Sequence, residues 1–122
     1  MTQALKKVDR RAAPRVATNL GVELSFAGWT ASVDGRVLNI SRIGAFVHVP
    51  SEFPREGEKV TFSLRFELGT EHHIHGHAIV RWVRPQSDPS HLAGFGMEFG
   101  ELSEAARRDL NRLLRLLSPA NP

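Results

Sequence analysis

The 122-residue chain contains no cysteine. Disulfides, zinc fingers, thiol nucleophiles and iron–sulfur clusters are therefore excluded together. It also lacks any apolar run near the roughly 18 residues that span a bilayer, and its first twenty residues lack the apolar stretch of a signal peptide. No membrane span is expected, and the expected location is cytoplasmic. No internal repeat and no long linker divides the chain, and its length suits one domain. Nothing in the spacing of His, Asp and Ser selects a nucleophile, so no enzymatic activity and no cofactor or metal is expected. What is present is ordinary for a folded globular protein: 41% hydrophobic and 24% charged residues, with a net charge of +3.

That small net charge is unevenly spread. Residues 1–17 carry Lys6, Lys7, Arg10, Arg11 and Arg15 against Asp9 alone, which leaves the remainder slightly negative. A basic end on a near-neutral domain suits an anionic partner: nucleic acid, a membrane surface or a phosphorylated small molecule. A solvated tail is the structural alternative.

From Asn19 onward the period is two. In Val60-Thr61-Phe62-Ser63-Leu64-Arg65-Phe66-Glu67-Leu68 every second residue is apolar, the pattern of a half-buried strand. Weaker alternation predicts strands near 21–26, 32–40, 44–49, 73–84 and 92–99. Short turn-forming clusters separate them, which favours antiparallel neighbours. The period then changes: Leu102, Ala106, Leu110, Leu113 and Leu117 form one apolar helical stripe, with Ser103 as N-cap, Glu104 in the first turn and Arg108, Arg112 and Arg115 on the opposite face. Together these predict a mostly β fold, a six-stranded antiparallel barrel with a C-terminal amphipathic helix. The expected divisions are a flexible basic arm at 1–17, the barrel at 18–100, the helix at 101–117 and a tail at 118–122.

Two polar motifs stand apart from the packing pattern. In Arg10-Arg11-Ala12-Ala13-Pro14-Arg15, Pro14 lacks a backbone donor and biases Ala13 away from helix. The arginines can thus converge on a target, and guanidinium forks suit both phosphate oxygens and the O6/N7 edge of guanine. In Asn39-Ile40-Ser41-Arg42-Ile43-Gly44 an amide and a hydroxyl two residues apart share a face if the strand continues that far, and Gly44 allows a close backbone approach. Read structurally, the same segment is a polar turn bonded to its own backbone.

The pair of motifs, RxxxR as Arg11 to Arg15 followed by NxSxxG as Asn39 to Gly44, resembles the two-part signature of the PilZ domain family, RxxxR then [D/N]xSxxG. Further resemblance lies in Ala78-Ile79-Val80-Arg81-Trp82-Val83, in Gly94-Phe95-Gly96-Met97-Glu98-Phe99 and in the terminal helix, so it covers about residues 9–117. The resemblance implies a six-stranded β-barrel that binds the bacterial second messenger cyclic di-GMP, a receptor that signals to a protein partner. Carried over by position, Arg11 and Arg15 contact guanine edges and phosphates, Asn39 and Ser41 face a guanine from the barrel, Gly44 shapes the turn, and Arg10 reaches a second ligand molecule. Asn39 offers one acceptor to guanine N1–H and N2–H where an aspartate offers two.

The remaining features read as structural. His73, His75 and His77 alternate along one strand, with neighbours about 6.5–7 Å apart. Three ligands in a line fit a tetrahedral metal site poorly, so an exposed histidine face is expected, with a pH-sensitive contact as the functional alternative. Ile74, Ala78, Val80 and Trp82 read as the core side of that strand, and Trp29 as packing at a turn. Two rival functions follow from the same residues. A PilZ-like adaptor would act through protein contacts without nucleotide. A nucleic-acid-binding barrel would need outward aromatics, whereas Phe62 and Phe66 read as inward, so that partner is disfavoured.

Overall fold

The computed structural model describes residues 14–118. Six strands, β1 (Val16–Phe26), β2 (Val33–Ile40), β3 (Gly44–His48), β4 (Lys59–Leu68), β5 (Thr70–Arg84) and β6 (Gly94–Phe99), precede one helix, α1 (Glu104–Leu117). All pairings are antiparallel, and the order β1-β2-β3-β6-β5-β4 closes on itself through β1 and β4.

The period-two pattern carries the core. Val60, Phe62, Leu64 and Phe66 of β4 are buried, as are Val22, Leu24 and Phe26 of β1 and Ile74, Ala78 and Val80 of β5. Their facing partners fill the barrel, with Phe95 of β6 fully enclosed. Trp29 packs at the β1–β2 turn, its ring 4.5 Å from that of Phe26. His73, His75 and His77 are exposed, and the His73 and His75 rings stack at 5.8 Å. Among the described residues no cluster of metal-ligating side chains occurs.

Helix α1 docks on the barrel through its apolar stripe. The Ser103 side chain accepts from Ala106 N–H at 3.0 Å, and Ala106, Leu110 and Leu113 turn into the core. The helix begins at Glu104, three residues after the expected 101, because the cap fixes its first turn. It packs against β5 and β1, and no helix of the described residues is long and apolar enough to cross a membrane.

Two expectations need correction. Strand β1 begins at Val16, so Val16 and Ala17, assigned to the arm, belong to the barrel. Their pairing with Ile40 and Asn39 holds them there, a contact with a distant segment that local pattern does not reveal. Trp82 is not a core residue. The β5–β6 register shifts between Val80 and Trp82, and the extra residue of a bulge reverses the inward–outward sense beyond it. Val83 packs against the core instead.

The β5–β6 loop is held by Asp88, whose Oδ1 accepts from Ser90 N–H at 2.8 Å and His91 N–H at 2.7 Å. Those backbone bonds, first Ser90 and then His91, hold its carboxyl below the usual carboxylate range. The stabilisation is therefore complete above the unfolded aspartate's pKa and is lost as pH falls through the lower folded value. An NMR titration should place the Asp88 inflection below that of free aspartate, with the Ser90 and His91 amides losing protection across it. Leu110 is 2% exposed, and Leu110→Ala should cost about 2–5 kcal/mol, read as a lowered urea midpoint with an unchanged slope.

Candidate functional site

Register brings Arg15 and the second sequence motif to one corner of the barrel. Val16 and Ala17 stand opposite Ile40 and Asn39, so Arg15, exposed and immediately before β1, lies at the end of β2 where Ser41 begins the turn into β3. Arg10 and Arg11 lie outside the described residues.

Strand β2 ends at Ile40, so Ser41 is a turn residue. It is 2% exposed, and its hydroxyl is used locally: Oγ accepts from Ile43 N–H at 3.1 Å and donates to Gly44 O at 3.4 Å, while Ser41 N–H donates to Gly44 O at 2.8 Å. Phe99 N–H donates to Ile43 O at 2.8 Å, fastening the turn to β6. Gly44 pairs with Glu98, and a Cβ there would strike the Met97 carbonyl. The turn thus needs a serine to bond it and a glycine to let β6 approach.

Asn39 is placed differently. The β2–β3 register shifts between Val37 and Asn39, so that Val37 and Ile40, three apart, both reach the core. Asn39 falls between them, opposite Phe46. Its Oδ1 is buried and accepts no hydrogen bond among the described residues. An orphaned acceptor of this kind costs about 1–3 kcal/mol, and a ligand N–H would satisfy it.

The row continues across the barrel. Asn39 opposes Phe46, Phe46 opposes Gly96, and Gly96 opposes Trp82. Phe46 and Trp82 stack with centroids 5.3 Å apart and planes 12° from parallel. The Arg84 guanidinium carbon lies 5.3 Å from the Phe46 centroid and 5.2 Å from that of Trp82, a cation–π arrangement. Arg84 Nη1 also donates to Leu92 O at 3.1 Å, and His48, as its Nδ1–H tautomer, donates to Ala93 O at 2.7 Å. The loop after β5 therefore backs the aromatic pair. Neighbouring Glu98 is neutralised by Arg81 at 2.6 Å, so no uncompensated carboxylate of this pair faces an incoming anion.

The sequence reading missed Phe46, Trp82 and Arg84 as site residues. Both rings sit outside the barrel's central cluster, but Phe46 is buried under Trp82 and Arg84, and only Trp82 is partly exposed. The bulge that turns Trp82 outward leaves no local signature beyond the glycine at 96, where any Cβ would meet the Trp82 indole.

Among known families, the PilZ domain matches residues 9–116. The chain belongs to the PilZ domain family. No curated protein matches it closely in sequence. Several solved PilZ-type structures share the fold. The inhibitor of motility MotI/DgrA of Bacillus subtilis superposes with a TM-score of 0.69 at 21% identity, over 87% of this chain, and this chain spans 52% of that one. The PilZ domain of YcgR from Escherichia coli, solved with c-di-GMP, gives a TM-score of 0.69 at 16% identity over 88% of this chain and 91% of that one. The PilZ domain of CeSA from a cellulose-synthesizing bacterium gives 0.52 at 15% identity, over 85% and 94%. At these identities the likeness is one of fold: this PilZ domain has the family's six-stranded antiparallel barrel and C-terminal helix.

Gly96→Ala should push the Trp82 ring off Phe46 at a cost of about 1–3 kcal/mol. Near-UV circular dichroism, sensitive to the packing of Trp82, should lose intensity in the folded variant.

Proposed function

We propose that this PilZ domain is a receptor for cyclic di-GMP that passes the signal to a protein partner. The observation that carries the reading is the buried, unpartnered Oδ1 of Asn39, set beside Arg15 at the junction of β1 and β2. The amide oxygen accepts from guanine N1–H or N2–H. Arg11 and Arg15 bind phosphate oxygens and the O6/N7 edge of guanine, and Arg10 adds a contact to a second nucleotide. The half-buried Trp82, stacked on the buried Phe46, lies in the same row and offers its ring to a base. Ser41 and Gly44 act through the shape of the turn, since the Ser41 hydroxyl is engaged with its own backbone.

In this mechanism binding orders the arginines of residues 1–17 against the barrel, and the altered surface is what the partner reads. No reaction is involved, so the domain works as a receptor and adaptor and not as an enzyme. The solved complex of the YcgR PilZ domain with c-di-GMP supports the choice of ligand. A cytoplasmic setting suits a nucleotide signal of this kind.

Isothermal titration with cyclic di-GMP should give saturable binding at micromolar or tighter Kd, with none for GTP, and Arg15→Ala should abolish it. Flat traces at high micromolar ligand would overturn the receptor reading in favour of an adaptor that works without nucleotide. Asn39→Asp adds a second, charged acceptor and should tighten binding by about 1–3 kcal/mol, roughly fivefold to over a hundredfold. The fluorescence of Trp82 should change on saturation, while that of Trp29, at the opposite end of β1, should not; Trp29→Phe isolates the signal.

A further inference from the structure

We propose that Arg36 and Arg65 form a second anion site, on the outer face of β2, β1 and β4, that takes a single phosphate group. Gly21 is its floor. Gly21 stands opposite Arg36 in the β1–β2 register, and a Cβ built on it would lie 2.8 Å from Arg65 Nη2 and 3.5 Å from Arg36 Nη1. The two guanidinium groups therefore converge over one glycine, their facing nitrogens no farther apart than about 6 Å. One oxyanion bridges such a gap with a charge-assisted bond of about 2.8 Å to each side.

Both cations are unneutralised. Neither Arg36 nor Arg65 makes an ion pair among the described residues, so the like charges face each other with no counter-ion between them. Arg36 is also fixed in place: its Nε donates to Asn19 Oδ1 at 2.8 Å and its Nη2 to Asn19 O at 3.0 Å. Those bonds leave Nη1 turned over Gly21. Arg65 reaches the same point from β4, where His73 of β5 stands opposite it.

The surroundings select the size of the ligand. Glu23 and Asp34 face each other two residues along the β1–β2 ladder from Gly21 and Arg36, and Glu67 and Glu71 face each other two residues along the β4–β5 ladder from Arg65 and His73. Carboxylates on both sides oppose a polyanion track or an anionic membrane surface, which need an extended field of one sign. A compact dianion between the two arginines avoids them. A phosphate group suits the site, whether free or as a soluble monoester.

Gly21 also supplies a sharp test. It adopts an extended backbone, and the atoms nearest a new Cβ are the far ends of flexible side chains, so Gly21→Ala keeps the fold and both charges while pushing the guanidiniums apart. Full-length protein is titrated with inorganic phosphate and, separately, with phosphoserine, with chloride at equal ionic strength as the control, and followed by the Arg side-chain Nε–H and Gly21 amide signals. The expected result is saturable shifts at Arg36, Arg65 and Gly21 at millimolar or tighter Kd, weakened at least tenfold in Gly21→Ala and in Arg65→Gln. Cyclic di-GMP binding and thermal stability should stay unchanged in both variants, which separates this site from the nucleotide corner. Saturation by phosphoserine alone would assign the site to esters, and by both to the phosphate group itself. Shifts that track ionic strength without saturating, or that persist in both variants, would overturn the proposal.

Discussion

Closure of the barrel is the constraint on which everything else in this protein depends. With β1 paired to both β2 and β4, no edge strand of the ring is left to bind a partner by adding a strand. The interior is filled by Val22, Leu24, Ile40, Phe62, Leu64, Val80 and Phe95, each at most 2% exposed, packed as protein interiors are. Recognition is thereby confined to the outer face, the strand ends and the segments that flank them. Helix α1 removes part of the β5 and β1 surface from consideration by burying Ala106, Leu110 and Leu113.

Within that constraint the site is made by breaking the alternation. A shift on β2 places Asn39 between two inward residues, and a shift on β5 turns Trp82 outward onto Phe46. Each break costs ladder hydrogen bonds locally, and each falls in the same row of the barrel. The result is a corner where an unsatisfied amide oxygen, an aromatic step and the exposed Arg15 meet. The supporting groups are engaged elsewhere: Ser41 in its turn, Arg84 over the two rings and Glu98 with Arg81. In the proposed function, the acceptor and the positive charge placed there are complementary to a guanine edge and a phosphate.

The same logic separates the two anion-binding faces. In the proposed function, recognition at the β1–β2 corner combines charge, a directed acceptor and stacking, which together specify a nucleotide. Over Gly21 only two guanidinium forks converge, bounded by carboxylates, which specifies charge and size but no base. The long β1 strand links the faces, since Asn19, which holds Arg36, lies only four residues beyond Arg15.

Local pattern was enough for the class of fold. Period-two runs such as Val60 to Leu68, the turn clusters between them and the leucine stripe after Ser103 each carry their own geometry, because the pleat and the helical turn are properties of a few consecutive residues. The RxxxR and NxSxxG motifs were equally visible as sequence. Tertiary structure alone decided which side Trp82 faces, that Val16 and Ala17 join the barrel, that Ser41 serves its turn while Asn39 is left without a partner, and that Arg36 and Arg65 meet over Gly21. Those outcomes depend on the register between strands distant in the chain, and a one-residue bulge reverses a side chain's direction without altering the alternation of residue types that a sequence displays.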